Sequence, residues 1–218
     1  MSRLSVVPSA VMLACALSLS ACPGVFGTMG NNAIVDWVLV ELRSSTTPSQ
    51  VLATRCGLLQ RDGDVTGLDG VNSLVAAASE GNYYVAVRHR NHLGIMTGAP
   101  VALSGTATTI DFRLAGTPVW GTQGRKDLGG GYFGLWGGNV FRDGNVSLLK
   151  YTGTNNDRDP ILSTIGGTTP NAVVSGYLRE DVNLSGQVKY TGTANDRDPI
   201  LVNVGSTVPT SVRTEQLP

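Results

Sequence analysis

The chain has 218 residues, of which only 15% are charged, and its 16 basic and 16 acidic residues give a formal net charge of zero. This balance argues against nucleic-acid binding, which usually needs a concentrated basic face, so no nucleic-acid partner is expected. Glycine is abundant at 28 residues, whereas there are two histidines and three cysteines. The composition therefore favours short strands joined by tight turns and offers few residues for a metal site or a nucleophile.

The first residues predict an export signal. Arg3 precedes an uncharged, largely apolar stretch at residues 4–19, which is too short for a membrane span and is typical of a signal peptide. Residues 19–22, Leu-Ser-Ala-Cys, resemble the lipobox of bacterial lipoproteins. The resemblance implies a signal peptide at 1–21, lipidation of Cys22 and a Gly-rich tether at 22–32. The alternative is an ordinary secretory signal with Cys22 merely near the cleavage site.

The lipobox also sets the expected location and the cysteine chemistry. Because Pro23 rather than aspartate follows the cysteine, we expect a lipid anchor in the bacterial outer membrane or at the cell surface. Cys15 would leave with the signal peptide and Cys22 would carry lipid, so no intrachain disulfide is expected. Cys56 is interpreted as a small apolar strand residue rather than a catalytic thiol.

Residues 33–113 are predicted to form a small antiparallel β-sandwich. The first strand, at 33–43, alternates so that one face carries Val35, Trp37, Leu39 and Glu41 and the other carries Ile34, Asp36, Val38 and Val40. Further strands are predicted at 51–61, 65–67, 81–90, 100–103 and 108–113. Short strands between Gly and Asp turns are typical of a sandwich. Residues 114–134, rich in Gly and Thr, are predicted to be a linker.

One strand supports a resemblance at the level of fold. The segment Gly81-Asn82-Tyr83-Tyr84-Val85-Ala86-Val87 is close to a G-x-Y-x-V-x-V pattern. The region therefore resembles transthyretin-like or carboxypeptidase-regulatory-like sandwiches, which implies a spacer or presentation module rather than an enzyme.

The two histidines follow this strand. His89 and His92 lie among Arg88 and Arg90, with no carboxylate nearby in the sequence. A metal or anion site is one interpretation of this group. We interpret these residues instead as surface residues at a strand end and turn.

Residues 135–218 contain an internal duplication. The segment Lys150–Leu162 recurs at Lys189–Leu201 with one difference, Asn155 against Ala194. Upstream, residues 139–146 align with residues 181–188, after which the first copy has three extra residues. Such self-similarity is the mark of two equivalent structural units.

The second copy carries the pattern of a calcium loop. Asp181, Asn183 and Ser185 occupy alternate positions before Gly186, and Gln187 would supply a backbone carbonyl. Position twelve is a glycine, so Asp196 is predicted to close the site after an insertion. The equivalent candidate ligands of the first copy are Asn139, Asp143, Asn145 and Asp157.

Each loop lacks a carboxylate that a strong site would have. Phe141 stands at position three of the first copy and cannot ligate, and Ser185 stands at position five of the second. Affinity falls with ligand charge, so we expect weak sites, with a Kd on the order of 10⁻⁴ to 10⁻³ M. The alternative is that both loops are metal-free Asx-turns.

A short helix is predicted after each loop. Asp198 suits an N-cap and is followed by a proline at the first helical position. Each helix is too short to be stable alone, so the two copies are expected to pack together through Ile161, Leu162, Ile165, Ile200, Leu201 and Val204.

The duplicated segments resemble divergent dockerin repeats. Their K-Y-T-G and N-D-R-D-P-I-L motifs are similar to C-terminal repeats of large bacterial surface proteins, some labelled haemagglutinin-like. The resemblance implies calcium binding and a cell-surface setting, with a protein or glycan partner there.

The sequence thus predicts a non-enzymatic surface lipoprotein for presentation or adhesion. The alternative is a dockerin-type module that binds a cohesin-like partner in a polysaccharide-degrading assembly. An enzyme is disfavoured, because the sequence shows no nucleophile–base pair and no complete metal triad.

Overall fold

The computed structural model describes residues 3–4, 23–76, 78–141 and 147–218. In these ranges the chain is mainly β, with antiparallel sheets and two short helices near the C-terminus. Cys22 and residues 5–21 of the predicted signal peptide lie outside the described residues. None of the described helices is long and apolar enough to cross a membrane.

The largest sheet has six antiparallel strands. They are β2 (Ile34–Ser44), β3 (Val51–Gln60), β4 (Val65–Thr66), β5 (Gly81–His89), β6 (His92–Met96) and β7 (Val101–Leu103). The order across the sheet is β4-β3-β2-β5-β6, and β7 pairs with the other end of β5. The prediction of antiparallel strands here is confirmed, including the reversal at Asp62-Gly63-Asp64, where the Gln60 amide donates to the Asp64 carbonyl at 2.8 Å.

The inner face of this sheet carries an apolar core, as the alternation in β2 predicts. Val38, Val40 and Leu42 are almost fully buried, and Val85 of β5 packs with them. The other face of β2 carries Leu39, which packs against β3. Alternate residues of a strand point to opposite faces, so the apolar pattern of β2 fixes the face it buries.

The outer face holds an ion-pair network that the last residues of the chain complete. Glu41 pairs with Arg43 at 2.7 Å and with Arg88 at 2.8 Å, and Arg88 also pairs with Glu215 at 2.8 Å. The Arg43 guanidinium donates to the Pro218 carbonyl at 2.9 Å. The C-terminal tail, residues 215–218, therefore lies across the outer face of the first sheet.

Close packing of the tail explains a glycine in β6. A Cβ at Gly94 would lie 2.6 Å from Leu217 Cδ1, and the Gly94 amide donates to Glu215 Oε1 at 2.7 Å. A side chain at this position would displace the tail.

Several predicted elements differ from the structure. The strand expected at 108–113 is limited to β8 (Thr108–Thr109), which pairs with β1 (Arg3–Leu4) inside the predicted signal peptide. The region 114–134, expected to be a linker, contains a hairpin of β9 (Lys126–Gly129) and β10 (Tyr132–Gly134).

Strand β6 was not predicted from the sequence pattern. Glycine at its centre weakens the strand pattern. The Gly-rich residues expected to be a tether form two 3-10 turns, at Pro23–Gly27 and Gly30–Asn32.

The expectation of no intrachain disulfide is not met. Cys56, which is 4% exposed, is disulfide-bonded, and its partner lies outside the described residues. The expectation assumed that Cys15 and Cys22 had been removed or lipidated, whereas the structure contains the whole 218-residue chain with all three cysteines.

The duplicated region pairs its copies by exchanging strands. The strands are β11 (Leu148–Lys150), β12 (Val173–Ser175), β13 (Gln187–Lys189) and β14 (Val212–Thr214), and the helices are α1 (Arg158–Thr164) and α2 (Arg197–Val204). The strand of the first copy, β11, pairs with β14 after the second copy, and β13 pairs with β12 after the first. The strand of each copy therefore pairs with a strand from the segment that follows the other copy. Val188 of the second copy pairs with Val174 of β12.

The two copies share one buried cluster, which confirms the predicted helix packing. Ile161 and Ile165 pack with Ile200 and Val204, and Leu162 and Leu201 lie at its margin. Leu93 of β6 belongs to the same cluster and is 2% exposed. The apolar core of the repeats therefore extends into the six-stranded sheet.

The shared core gives a stability prediction. Leu93→Ala should lower the free energy of unfolding by about 2–5 kcal/mol, because it leaves a cavity where the sheet meets the repeats. The exposed Leu128→Ala is the control and should stay within about 0.5 kcal/mol of wild type. Urea denaturation measures both. Equal stability of the two variants would show that Leu93 does not contribute to the core.

Candidate functional site

The first ligand position of the second calcium-like loop is buried. Asp181 is 2% exposed, and its two carboxylate oxygens accept the backbone N–H groups of Ser185 and Gly186, each at 2.9 Å. Arg90 lies 3.7 Å from one of these oxygens. The carboxylate thus holds the loop closed and has a cation beside it.

The next predicted ligands bond within the same loop. Asn183 Oδ1 accepts the Ser185 N–H at 3.0 Å, so it converges with Asp181 on one amide. The Asn183 side-chain amide donates to the Ala194 carbonyl at 2.7 Å. The Ser185 hydroxyl donates to the Gln187 carbonyl at 3.2 Å. The loop has the hydrogen bonds of successive Asx- and Ser-turns. These bonds involve oxygens of Asp181, Asn183, Ser185 and Gln187.

Asp196 holds the backbone of its repeat. One of its oxygens accepts the N–H groups of Val182 and Asn183 at 2.7 and 3.1 Å, and the other accepts that of Lys189 at 2.7 Å. Its side chain is fully buried. The carboxylate joins the start of the loop to β13.

Asp157 does the same in the first copy. Its oxygens accept the N–H groups of Val140, Phe141 and Lys150 at 2.7, 2.8 and 2.6 Å, and it too is fully buried. The repeated N-D-R-D segment therefore places an equivalent three-amide acceptor in each copy.

Burial changes the acidity of both aspartates. It raises the pKa of Asp157 to about 7, against the lowering effect of its three N–H donors and of Lys150. Burial also raises the pKa of Asp196, and the nearby Asp181 charge acts in the same direction, while three N–H donors oppose it. Desolvation disfavours the charged form of a carboxyl group.

Only some of the predicted ligands of the first copy lie within the described residues. Asp143 and Asn145 lie outside the described residues. Asn139 is fully buried, and neither polar atom of its side chain has a hydrogen-bond partner in the described part of the chain. Phe141 contributes its backbone N–H to Asp157 rather than a side-chain ligand.

The helix caps differ from those predicted. α2 begins at Arg197, one residue before Asp198, and it is Asn195 whose side chain accepts the Asp198 N–H at 2.9 Å. Asp198 in turn accepts the Asn195 side-chain amide at 2.7 Å. Asn156 caps α1 in the same way. The contact differs from a capping box, in which the second side chain bonds to the backbone N–H of the cap residue: here the asparagine caps the helix and the aspartate holds the asparagine side chain.

A polar cluster with a buried centre joins the six-stranded sheet to the repeats, and the sequence pattern did not predict it. We call it the junction cluster; its members are Asp36, His89, Arg90, Asn91, His92 and Tyr177.

Asn91, at the β5–β6 turn, is fully buried and contacts both repeats. Its carbonyl accepts the Asn139 N–H at 2.9 Å, and its side-chain amide donates to the Asp181 carbonyl at 2.7 Å. The turn therefore touches the first position of both loops.

Asp36 is the charged centre of the junction cluster. Its carboxylate lies 3.1 Å from His89 Nε2 and 3.0 Å from Arg90 Nε, and it accepts the Tyr177 hydroxyl. Burial acts to raise the pKa of Asp36, but His89, the Tyr177 hydroxyl and the backbone N–H of Trp37 hold it well below its usual range. The same carboxylate and burial raise the pKa of Tyr177.

The interpretation of His89 and His92 as surface residues is wrong. His89 is 4% exposed, and the two Nδ1 atoms lie 2.8 Å apart. Burial lowers the pKa of His92 to about 3, so its imidazole is uncharged at neutral pH. A carboxylate, Asp36, is close in space although it is far away in the sequence. The sequence does hold one signal for this contact, the position of Asp36 on the apolar face of a predicted strand, since aspartate is rarely buried without a partner.

Within the described ranges, no cluster of three or more His, Cys, Asp or Glu side chains is placed to hold a metal ion. The second loop offers amide, hydroxyl and carbonyl oxygens beside one carboxylate, which is the type of donor set that calcium accepts weakly. No known protein family, curated protein or solved structure matches the chain.

The buried aspartates give a pH prediction. Because the folded-state pKa of Asp157 is raised to about 7, its protonation stabilises the fold fully below about pH 4 and this stabilisation is lost as the pH rises towards 7. The stability of wild type relative to Asp157→Asn should therefore fall across this window, by up to roughly 1.4 kcal/mol per pH unit.

Chemical denaturation at pH 4, 5, 6 and 7 measures this difference, and the other titrating groups cancel between the two proteins. Asp196→Asn should change in the same direction. A difference that grows with pH would show instead that the three amides hold an ionised carboxylate.

Proposed function

We propose that the chain is a non-enzymatic, exported surface module for presentation or adhesion. The observation that carries this proposal is the use of the buried polar groups. Asp36, Asn91, Asp157 and Asp196 all bond to backbone or to one another, and they tie the sheet and both repeats into one packed body. Groups engaged in this way favour a rigid scaffold over a catalytic centre.

The resemblances described above support the same proposal. A transthyretin-like sandwich serves as a spacer, and dockerin-like repeats belong to proteins displayed outside the cell. The antiparallel sheet and the paired repeats are compatible with both. The partner in this proposal is a protein or glycan at the cell surface.

Lipid on Cys22 would anchor the module to the membrane. A sulfur atom that carries a thioether-linked lipid cannot also form a disulfide, so lipidation of Cys22 and its pairing with Cys56 exclude one another. In the processed lipoprotein Cys15 would have left with the signal peptide and Cys22 would carry lipid, so the disulfide of Cys56 can form only in the unprocessed chain with all three cysteines.

Metabolic labelling tests the anchor and the location together. Growth with a fatty-acid analogue should label the wild-type protein and the Cys15→Ala control, and Cys22→Ala should lose the label. Protease added to intact cells should remove the labelled protein if it is displayed outside. Unlabelled wild-type protein would contradict the lipoprotein proposal, and an unlabelled, secreted protein would support the ordinary signal peptide.

We include weak calcium binding at the second loop in this proposal. Asp181, Asn183 and Ser185 bring oxygens together around one turn, and the Gln187 carbonyl lies beside them. Arg90 opposes a cation there, because it lies 3.7 Å from the Asp181 carboxylate. Asp196, predicted to close the site, has both oxygens engaged with amides. One carboxylate facing a nearby arginine is consistent with low affinity.

Calcium should stabilise the folded chain slightly. With a Kd on the order of 1 mM, 10 mM calcium should add about 1.4 kcal/mol and raise the Tm by about 3–6 °C over chelator. Asp181→Asn should lose this increment, and Asp69→Asn, at an exposed turn, should keep it. Equal Tm values for wild type with calcium and with chelator would show that the loop is a metal-free turn.

A further inference from the structure

An apolar cavity lies against the inner face of the six-stranded sheet. Its volume is about 280 Å³. Strands β2 and β5 form its floor through Val38, Val40, Val85 and Val87, and residues 110–113 and 133–135 cover it. The cavity is partly open to solvent, so a small molecule could enter it, and concave, mostly apolar spaces of this kind are typical of small-molecule sites.

The wall of this cavity is uncharged over most of its extent. Aliphatic and aromatic side chains predominate: Val38, Val40, Leu59, Val65, Val85, Val87, Ile95, Ile110, Phe112, Phe133, Leu135 and Leu184. Of its two histidines, His92 has an imidazole that is uncharged at neutral pH, because burial lowers its pKa to about 3.

The remaining charges of the lining neutralise each other. Arg113 and Asp111 form an ion pair at 2.9 Å, and Arg113 also donates to the Asp62 carbonyl at 2.7 Å. These side chains are partly exposed, at 44% and 22%. A charged ligand would therefore lose its hydration without gaining an unpaired counter-charge.

The second calcium-like loop reaches the same cavity. Leu184 lines it with a backbone φ of 59°. This left-handed conformation is unfavourable for a leucine and is typical of residues that the surrounding structure holds in place at a binding site.

We propose that this cavity binds one small, uncharged apolar molecule. An apolar cavity of about 150 Å³ accepts benzene, so a space about twice as large suits a ligand of about ten heavy atoms, such as a fused aromatic or a short hydrocarbon. Apart from Leu184, the lining comes from residues outside the calcium-like loops, and the site adds ligand binding to the proposed surface function.

The probe is 1-aminonaphthalene, whose fluorescence reports an apolar environment and which is neutral at pH 7. We expect one molecule per chain with a micromolar to submillimolar Kd. The matched probe 5-aminonaphthalene-1-sulfonate has the same ring system and a negative charge, and it should bind at least tenfold more weakly. Equal binding of the two probes, or no binding of the neutral one, would overturn the proposal.

Two variants locate the site in the full chain. Val87→Phe and Ile110→Trp add side-chain volume to the floor and the cover, and each should weaken 1-aminonaphthalene binding at least tenfold. Val71→Phe, at a position that is 80% exposed and away from the cavity, is the control and should bind as wild type does. Unchanged binding in whichever filling variant retains the wild-type circular dichroism spectrum would place the probe elsewhere and overturn the assignment.

Discussion

Each repeat depends on one buried carboxylate that gathers three backbone N–H groups. Asp157 and Asp196 join the start of a loop to the strand that follows it, and each helix begins at the next residue. A helix of seven or eight residues is not stable alone, and a buried N–H without a partner costs about 1–3 kcal/mol. The carboxylate satisfies three such donors at once, so loop, strand and helix form as one unit.

A small number of buried residues also joins the six-stranded sheet to both repeats. Asn91 reaches the first residue of both loops from a single turn, and Leu93, two residues later, enters the core of the repeats. Because the two copies exchange strands, a contact made at their common centre supports both. The junction cluster places Asp36 and Arg90 beside this centre, where burial and close pairing make their geometry specific.

Local pattern explains the parts of the fold that were predicted. Alternation identified β2 and the face it buries, and the duplication identified both helices and their packing. Strand β6 was missed because Gly94 serves the C-terminal tail, a contact 123 residues away that no local pattern contains.

The contacts of the candidate site were harder to predict, because they also depend on residues that are distant in the sequence. An aspartate after a ligand-like loop suits a metal or a set of amides equally well, and tertiary packing decides which way Asp196 turns. Asn91 is an ordinary turn residue in sequence, and its role exists only when distant segments meet. His89 and His92 were interpreted as exposed because their carboxylate partner, Asp36, lies on another strand.

The path of the C-terminal tail also bears on the order of folding. Glu215 and Pro218 complete the ion pairs of Glu41, Arg43 and Arg88, which lie in the first half of the chain. Domains usually fold from the N-terminus as synthesis proceeds. Here strands β2 and β5 acquire their full set of charged partners only when residues 215–218 dock on the outer face, so closing this face is a long-range step that follows the local pairing of the strands. An insertion within residues 215–218 would disturb that face, whereas one in an exposed loop would leave it intact.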